Sequence, residues 1–592
     1  MPKSNYKIGD YKVSDIYQGG YSTLAPSQNI YTTSGNLGLT TDPRTANILQ
    51  DVSAKLSTGA RHIEVEGVSP EIFDSIPKQQ LKEVYRLSKL TGIDVSLHAP
   101  IVEPSGLTQQ GYSEAERESA ERRIIDSLLR AKDLNPDGNI PVNFHSAAGI
   151  PGSQFLPYSK RKEDEEYKKL IIVNRESGKM VPLEPRIQYA LGERNLKPET
   201  ITPEQELDMI NKTEWNNSTS QLLFQKERAD EILEKQRPFI EHLIEDLNSG
   251  KFKESDIPSP EQQVALRHFR NAEAYLQDLH KQTNTLFSKA AEFADGHQIN
   301  ELRRISENFR EKTEKSKNPF THSQAMNEVI HELREKITPK MYVPIEEFAV
   351  EKASQTFGNA AYKTYKEFKG KNVPLLVIEN PPAEVALSTG EGIRDVVKKS
   401  REIFVENAKK EGMSESQARK EAEKLIGATW DVGHINMLRK YGYSEEDIVK
   451  ETEKIAPYLK HIHLSDNFGF EHTELPMGMG NVPLKEMMNK LGEKGFEAKK
   501  IIEASAWWQH FKTSPFQESL EALGSPVYGL KMAPYWSQAP GLYQGYFSGM
   551  EGPWLPQINY ETFGAGFSRL PSELGGSMPG AQGSRMSGRQ ME

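Results

Sequence analysis

The 592-residue sequence contains no cysteine at all. This absence excludes disulfide bonds, thiolate nucleophiles and zinc or iron–sulfur centres that depend on cysteine ligands. Any metal ion must instead be bound by imidazole and carboxylate groups. That ligand set suits Zn²⁺, Mn²⁺, Fe²⁺ or Co²⁺, so a divalent metal is the cofactor class that the composition permits.

The sequence also lacks long apolar runs and an excess of positive charge. No stretch approaches the ~18 apolar residues of a membrane span, so we expect no membrane partner. Residues 1–10 are polar and show no signal-peptide core, which favours a cytoplasmic protein. The net charge of −10 argues against a protein whose main task is to cover nucleic-acid phosphates. A local basic groove stays compatible with this charge.

Two common catalytic signatures are missing as well. The sequence has neither a Walker A motif nor a G-x-S-x-G elbow. The segments Gly478-Met479-Gly480 and Gly564-Ala565-Gly566 are interpreted as turns, because neither precedes a phosphate-binding helix pattern.

Imidazole and carboxylate side chains stand instead at the ends of a series of short apolar segments. Val95-Ser96-Leu97-His98 and Leu376-Val377-Ile378-Glu379 are two examples. In a closed parallel β/α barrel all such strand ends converge on one face, where active sites of that fold are built. The members of the series are His98, His145, Glu379, Asp431, His434, His463 and Glu503, with His472 and Glu474 in a nearby loop.

Strand and helix patterns alternate along two parts of the chain. Residues 34–150 give four strands and residues 346–525 give four more, each followed by a helical pattern. Such alternation predicts right-handed βαβ units and a parallel sheet. We therefore predict an α/β fold, a (β/α)8 TIM barrel interrupted after its fourth strand.

The remaining segments do not follow this pattern. Residues 151–345 predict a hairpin at 167–184 and then charged helices with a narrow, coiled-coil-like apolar stripe. This large, mainly helical insertion is interpreted as a lid, a substrate selector or an arm for homo-oligomerisation. Residues 1–33 form an N-terminal extension, and residues 526–592 are rich in aromatic residues and glycine. The latter predict an irregular C-terminal extension with a disordered tail.

Several spacings strengthen the metal interpretation. Asp431-Val432-Gly433-His434 lets two donors from one turn face the same cavity. His461 and His463 share one side of a strand because side chains repeat every two residues, and His463 is nearer the strand end. A metal held by these groups polarises a bound carbonyl or hydroxyl and lowers the pKa of bound water toward ~7.

Seven motifs follow one another along the chain: Ser96-Leu97-His98-Ala99-Pro100, Asn143-Phe144-His145-Ser146, Val377-Ile378-Glu379-Asn380, Trp430-Asp431-Val432-Gly433-His434, His463-Leu464-Ser465-Asp466-Asn467, Leu475-Pro476-Met477-Gly478-Met479-Gly480 and Ile502-Glu503. Taken together and in this order, they resemble those of the xylose isomerase-like TIM-barrel superfamily. This group includes sugar and sugar-phosphate isomerases and epimerases and also endonuclease IV of the AP endonuclease family 2, which repairs abasic DNA. The resemblance covers about 34–150 and 346–525 and leaves the insertion and tail outside.

The resemblance implies two alternative sets of roles. In the epimerase branch one divalent ion is bound, two glutamates exchange protons with the carbons flanking a carbonyl, and His434 contacts the substrate. The four ligands of that ion are Glu379, Asp431, His463 and Glu503. In the endonuclease branch the same four residues hold one of three zinc ions. The ligands of the other two are His98, His145 and Glu379 for one, and His434, His472 and Glu474 for the other.

The sequence departs from the endonuclease pattern at two places. His472-Thr473-Glu474 stands where that family usually has Asp-Arg-His, so the arginine is missing. The first strand carries Gly38-Leu39-Thr40-Thr41 instead of the usual His-x-Ser. The loop Asp466-Asn467-Phe468-Gly469 resembles the isomerase branch more closely. With the acidic net charge, these departures favour a small-molecule substrate, a carbohydrate, over nucleic acid.

Other residues are candidates for substrate binding. His98 and His145 serve this role if they bind no metal, and Glu66 either lines the pocket or forms a salt bridge. Trp507 and Trp508 follow Glu503 and either wall the cavity, where an aromatic face packs on a sugar ring, or simply cover the barrel.

We therefore carry three functional hypotheses. The first is a metal-dependent isomerase or epimerase in which Glu379, Glu503 and His434 are catalytic. The second is a multinuclear zinc phosphodiesterase acting on abasic DNA. The third is a non-catalytic barrel that serves as a platform for the helical insertion.

Overall fold

The computed structural model describes residues 37–162, 165–189, 198–248, 259–315, 319–504, 507, 511 and 514–523. The predicted extensions at 1–33 and 526–592 lie outside these residues, and so does Trp508. These residues comprise the parallel sheet, the helices around it and the insertion between its two halves.

Eight parallel strands close into a barrel, so that β1 pairs with both β2 and β8. This confirms the predicted (β/α)8 TIM barrel. Around the barrel the order is β1, β8, β7, β6, β5, β4, β3, β2. The strands are β1 (Leu37–Thr40), β2 (His62–Glu66), β3 (Asp94–His98), β4 (Pro141–His145), β5 (Leu375–Glu379), β6 (Ile426–Asp431), β7 (Leu459–Leu464) and β8 (Lys499–Ile502).

Helices cover the outside of the barrel, and several of them begin at side-chain caps that the sequence provides. Ser113 accepts the Glu116 N–H at the start of one helix, and Ser444 forms a capping box with Asp447 at another. The helices of this layer are Ile48–Leu56, Pro70–Ser75, Lys78–Thr91, Glu114–Leu134, Ile345–Glu367, Gly390–Lys410, Glu415–Leu425, Val432–Asn436, Glu445–Ile455, Leu484–Glu497 and Pro515–Ala522. Short 3₁₀ turns lie at Met437–Tyr441 and Ala456–Tyr458.

The helix Glu415–Leu425 was missed by the sequence analysis, which predicted only one helix, at 390–413, between β5 and β6. The chain turns at Gly412, whose φ of +93° lies in the left-handed region that favours glycine. Ser414 then caps a new helix by accepting the Gln417 N–H. That helix runs directly into β6 without a loop.

The large, mainly helical insertion after the fourth strand is confirmed. An antiparallel sheet comes first, in which Tyr167–Asn174 pairs with Met180–Leu183 and with Tyr342–Pro344. Its helices are Pro203–Asn248, Pro260–Phe293, Gly296–Lys315 and Pro319–Lys336, and its minor elements are Gln154–Phe155, Tyr158–Lys160, Arg186–Tyr189 and Pro198–Ile201. The short strands Leu107–Thr108 and Gly111–Tyr112 lie earlier in the chain, between β3 and the helix Glu114–Leu134.

The insertion has apolar cores of its own, separate from that of the barrel. One core lies around Phe269 and Leu279, and another around Trp215 and Leu333. Trp215 also donates its indole N–H to the Leu333 carbonyl at 2.8 Å. A buried indole N–H needs such a partner, so this bond fixes the crossing of two helices.

The insertion is fastened where it leaves and rejoins the barrel. Glu346 accepts the backbone N–H of Ser153 at 2.6 Å and the Ser153 hydroxyl at 2.9 Å. Ser153 Oγ in turn accepts the Ile171 N–H. The two ends of the inserted segment are therefore held side by side. Within the described parts of the chain, no helix is both long and apolar enough to cross a membrane.

A substitution at Gly38 tests how tightly the wall of the barrel is packed. A Cβ added there lies within 2.7 Å of Ile501 Cδ1 and 2.8 Å of His62 Cβ, and closer still to the His62 carbonyl. We expect Gly38→Ala to lower the free energy of unfolding by about 1–3 kcal/mol, the usual cost of overpacking. Urea unfolding measures the change. Gly296→Ala is the control, since nothing lies within 4 Å of its added Cβ. Equal stability of the two variants would contradict the prediction.

Candidate metal centre

The barrel brings polar side chains from seven of its strand ends to one face. Glu66 ends β2, His98 ends β3 and His145 ends β4. The remaining members are Glu379 at the end of β5, Asp431 at the end of β6, His463 one residue before the end of β7, and Glu503 directly after β8. The Glu503 N–H bonds the Leu464 carbonyl at 2.9 Å, which continues the pairing of β7 with β8.

Four of these residues form one compact group. Glu379, Asp431, His463 and Glu503 each offer a ligand atom, and these four atoms lie within 4.8 Å of one another. His463 Nδ1 is 3.0 Å from Glu379 Oε1 and 3.1 Å from Glu503 Oε2. Asp431 Oδ2 and Glu503 Oε2 are buried without a hydrogen-bond partner. Such unpaired buried oxygens are costly, and a shared cation would compensate them.

A second group shares Glu379 with the first. His98, His145 and Glu379 offer ligand atoms that lie within 4.8 Å of one another. His98 Nε2 is 3.4 Å and His145 Nε2 is 3.7 Å from Glu379 Oε2. The other ring nitrogen of His98 bonds the Ala99 carbonyl at 3.0 Å. Because a carbonyl only accepts, Nδ1 is protonated and Nε2 faces the group.

The loop residues His472 and Glu474 approach the same face. His472 Nε2 is 2.8 Å from His434 Nε2 and 3.6 Å from Glu474 Oε1. His434 Nδ1 donates to the Asn380 carbonyl at 2.7 Å, so its Nε2 carries the lone pair when the ring is neutral. The structure therefore brings together the three residues that the sequence grouped as a third set.

The charges of the centre compensate one another. Burial opposes ionisation, but the charges of Glu379, Glu64 and Glu503 raise the pKa of His463 well above its usual range. Although burial raises the pKa of Glu503, His463 lowers it to about 2. Burial and the charges of Glu503 and Glu379 raise the pKa of Asp431 well above its ordinary value. Asp431 is therefore a carboxylate whose ionisation the surrounding groups disfavour.

The histidines around Glu379 differ in charge. Burial alone lowers the pKa of His98, but Glu66 and Glu379 raise it to about 10. Burial lowers the pKa of His145 to about 4, and burial together with His472 lowers the pKa of His434 to about 3. His145 and His434 are therefore neutral near pH 7, which is the protonation state that a metal ligand requires.

Amide and carboxylate groups fix the backbone that carries these residues. Asn380 Oδ1 accepts the Asp431 N–H at 2.8 Å, and its amide donates to the Asp431 carbonyl at 3.0 Å. Asp466 accepts the N–H groups of Asn467, Gly478 and Val482. The loop that carries His472 and Glu474 is thus tied down at both ends.

Glu66 lies beside the ligand groups, whereas Trp507 packs on the barrel core. Glu66 is only 4% exposed, and neither of its carboxylate oxygens has a hydrogen-bond partner. It stands opposite His98 in the pairing of β2 with β3, and burial raises its pKa well above the usual range. Trp507 packs on the barrel core and contacts Phe511 with ring centroids 4.3 Å apart. Trp508, predicted beside it, lies outside the described residues.

A lower layer of polar residues was missed as part of the site. Glu64, Ser96 and His62 lie in the barrel interior, fully buried, and join His461 below His463. The alternation in His62-Ile63-Glu64-Val65-Glu66 was a usable signal, because every second side chain of a strand faces one side. Three polar residues on that side indicate a polar barrel interior.

The fold and the ligand groups define a parallel β/α barrel with a carboxylate and imidazole centre at the C-terminal ends of its strands. Residues 391–524 match the family model described as xylose isomerase-like TIM barrel. The match includes Asp431, His434, His463 and Glu503, so the resemblance is confirmed for this half of the barrel.

Two individual proteins are also similar to the chain. The uncharacterized protein MJ1311 of Methanocaldococcus jannaschii is 31% identical over 80 residues, which are 14% of this chain and 26% of that protein. The chain thus spans about a quarter of that relative's length. The crystal structure of a D-tagatose 3-epimerase-like protein aligns with 83% of this chain and 99% of its own at 12% identity and a TM-score of 0.33. A likeness this weak carries no argument.

Removing the charge of Asp431 separates fold stability from metal binding. Its raised pKa means that the folded chain holds this proton to higher pH, so stability is lost as pH rises through that range. We expect metal-free Asp431→Asn to unfold at a higher temperature than the metal-free parent at pH 8, with a smaller gain at pH 5.

Added Mn²⁺ should stabilise the parent more than the variant. It should stabilise the parent by about 2.7 kcal/mol at a concentration 100 times Kd, and should stabilise the variant far less. Thermal unfolding with and without chelator measures both effects. A variant that is less stable than the parent without metal, or stabilised equally by metal, would contradict the prediction.

Proposed function

We propose that the chain is a divalent-metal-dependent enzyme of the isomerase or epimerase type that moves protons next to a carbonyl group. One observation carries the proposal: Glu379, Asp431, His463 and Glu503 converge at the barrel end, with two glutamates beside the two other ligands. A mononuclear centre of this type leaves carboxylate oxygens available for proton transfer.

The donor set fits a divalent ion. Carboxylates and imidazoles are ligands for Mn²⁺, Zn²⁺, Fe²⁺ or Co²⁺, and the unpartnered Asp431 Oδ2 and Glu503 Oε2 supply free lone pairs. When bound, such an ion polarises a carbonyl or hydroxyl group of the substrate. Glu379, Asp431, His463 and Glu503 are the proposed ligands.

Glu379 and Glu503 are suited to different roles in proton transfer. The Glu503 side chain is 15% exposed whereas that of Glu379 is fully buried, so Glu503 faces the mouth of the barrel. His463 lowers the pKa of Glu503 and so keeps its carboxylate ionised. Glu379 is held by Asn143 and His463, which fixes the position of its carboxylate. We assign Glu503 as the more mobile acid–base group and Glu379 as the fixed one.

The substrate would be bound by the groups around this pair. His434 is positioned by Asn380 and is proposed to contact a substrate oxygen. The unpartnered carboxyl oxygens of Glu66 are suited to hydroxyl groups of a carbohydrate. Trp507, which follows Glu503 in the sequence, is proposed to pack on a sugar ring. In this proposal His98 and His145 hold Glu379 and contact the substrate, and the insertion contributes at the same barrel face, beyond β4.

Replacing either glutamate tests the assignment. We expect Glu379→Gln and Glu503→Gln to reduce turnover by about 10²–10⁴-fold, because Gln cannot exchange a proton. Metal-dependent exchange of substrate C–H hydrogen with D₂O, followed by NMR over a panel of ketoses and their phosphates, measures turnover. Glu121→Gln is the control, since Glu121 pairs with Arg117 and Lys363 on the outer helix layer. Undiminished exchange in both site variants would refute the proposal.

A second function is favoured by a specific observation. Glu379 contributes Oε1 to the first ligand group and Oε2 to the second, as a bridging carboxylate does. His434 Nε2 and His472 Nε2 lie 2.8 Å apart and offer a third pair of metal-ligand atoms. Multinuclear centres of this kind suit phosphodiester cleavage, because paired ions stabilise both the attacking and the leaving oxygen.

Metal content distinguishes these functions. The isomerase proposal expects one equivalent of metal in protein purified without chelator, and His98→Asn should leave that value unchanged. The phosphodiesterase alternative expects two or three equivalents, a loss of one in His98→Asn, and cleavage of an abasic DNA duplex. Elemental analysis and a gel-based cleavage assay measure these outcomes. A chain that binds no metal would contradict both and favour a non-catalytic platform.

A further inference from the structure

Beneath the ligand groups the barrel interior holds a second layer of polar side chains. Interior positions of such barrels are usually filled by branched apolar residues. Here His62, Glu64, Ser96 and His461 occupy them, each at most 1% exposed. A fully buried carboxylate is costly unless several donors converge on it, so the contacts of Glu64 need an explanation.

Three donors surround the Glu64 carboxylate. Ser96 Oγ donates to Oε2 at 2.6 Å, and His461 Nε2 is 3.0 Å from the same oxygen. His463 Nε2 is 2.8 Å from Oε1, a contact that is close as an ion pair but not aligned as a hydrogen bond. Glu64 therefore reaches β3 and β7 from its own strand, β2.

The direction of each hydrogen bond follows from chemistry. An ionised carboxylate only accepts, so Ser96 donates its hydroxyl hydrogen to Glu64. The Ser96 oxygen is then free to accept from His62 Nε2, which lies 2.9 Å away. Ser96, His461 and His62 therefore form a hydrogen-bonded network with Glu64 that leaves Oε1 to face His463.

His463 links this network to the ligand groups. Its Nε2 faces Glu64, while its Nδ1 faces Glu379 Oε1 and Glu503 Oε2. We propose that Glu64 is a positioning residue that holds the proton of His463 on Nε2 and thereby directs the Nδ1 lone pair to the metal. This inference rests on the proposed metal centre and extends it to a residue one layer below.

The physical consequence is a stronger and better oriented ligand. A carboxylate that accepts the distal N–H of a metal-binding histidine fixes its tautomer and ring orientation and raises its basicity. Loss of such a partner typically weakens metal affinity by 10–100-fold. Glu64 touches no proposed substrate contact, so its effect is expected on the metal and not on substrate recognition.

Two substitutions at Glu64 test the inference in the full-length protein. Glu64→Leu removes the acceptor at similar volume, and Glu64→Gln keeps an acceptor oxygen but removes the charge. Binding of Co²⁺ to metal-free protein, measured by competition with a chelator and by the visible spectrum, is the readout. We expect about 10–100-fold weaker binding and an altered spectrum for Leu, and a smaller loss, about tenfold, for Gln.

Glu346→Gln is the matched control. It also alters a half-buried carboxylate that accepts hydrogen bonds, but at the base of the insertion. Its thermal stability should fall while its Co²⁺ affinity stays that of the parent. The same loss of affinity in this control would assign the effect to general destabilisation and would overturn the inference.

The outcomes separate this inference from the proposed function. A parent protein that binds no Co²⁺ overturns both. A parent that binds Co²⁺, with Glu64→Gln and any folded Glu64→Leu unchanged in affinity and spectrum, overturns only the role of Glu64. If Glu64→Leu does not fold, Glu64→Gln decides alone. ¹⁵N spectra of the Zn²⁺-loaded parent add a direct check: Nε2–H with Nδ1 bound supports the inference, and Nε2 bound overturns it.

Discussion

The arrangement of the barrel depends on the mutual neutralisation of acids and imidazoles inside a closed sheet. Glu379 and Glu64 lie on two sides of His463, and each carboxylate is kept ionised by that ring although burial opposes ionisation. If His463 were removed, two buried charges would lose their partner at once. Asp431 is left without such compensation, and this imbalance is the physical reason to expect a cation.

Much of the fold was predictable because its signals are local. The helix at Glu114–Leu134 follows a serine cap, and the strand ends at His98 and Glu379 close apolar runs. The closure of a parallel sheet then brings strand ends together whatever their distance in sequence. For that reason the residues of the first and second ligand groups could be named without coordinates, although their roles stay proposals.

The contacts of Glu64, which the sequence did not reveal, are formed with residues of other strands. Glu64 lies in the middle of a strand, and its partners Ser96 and His463 come from β3 and β7. No spacing along the chain indicates such a contact. The helix Glu415–Leu425 was missed for a different reason: a glycine turn and a new cap separate it from its predecessor over only a few residues. The sequence analysis predicted only the first of these two helices and assigned none to residues 415–425.

The bond between Ser153 and Glu346 has a consequence for how this chain evolved and folds. It joins positions 193 residues apart and holds both ends of the inserted segment next to each other. Because its ends are adjacent and it has apolar cores of its own, the inserted segment acts as a short connection between β4 and β5. The loop-closure entropy lost when the sheet closes is therefore little larger than for a short loop. A segment of this kind can change in length without a change in the register of the barrel strands.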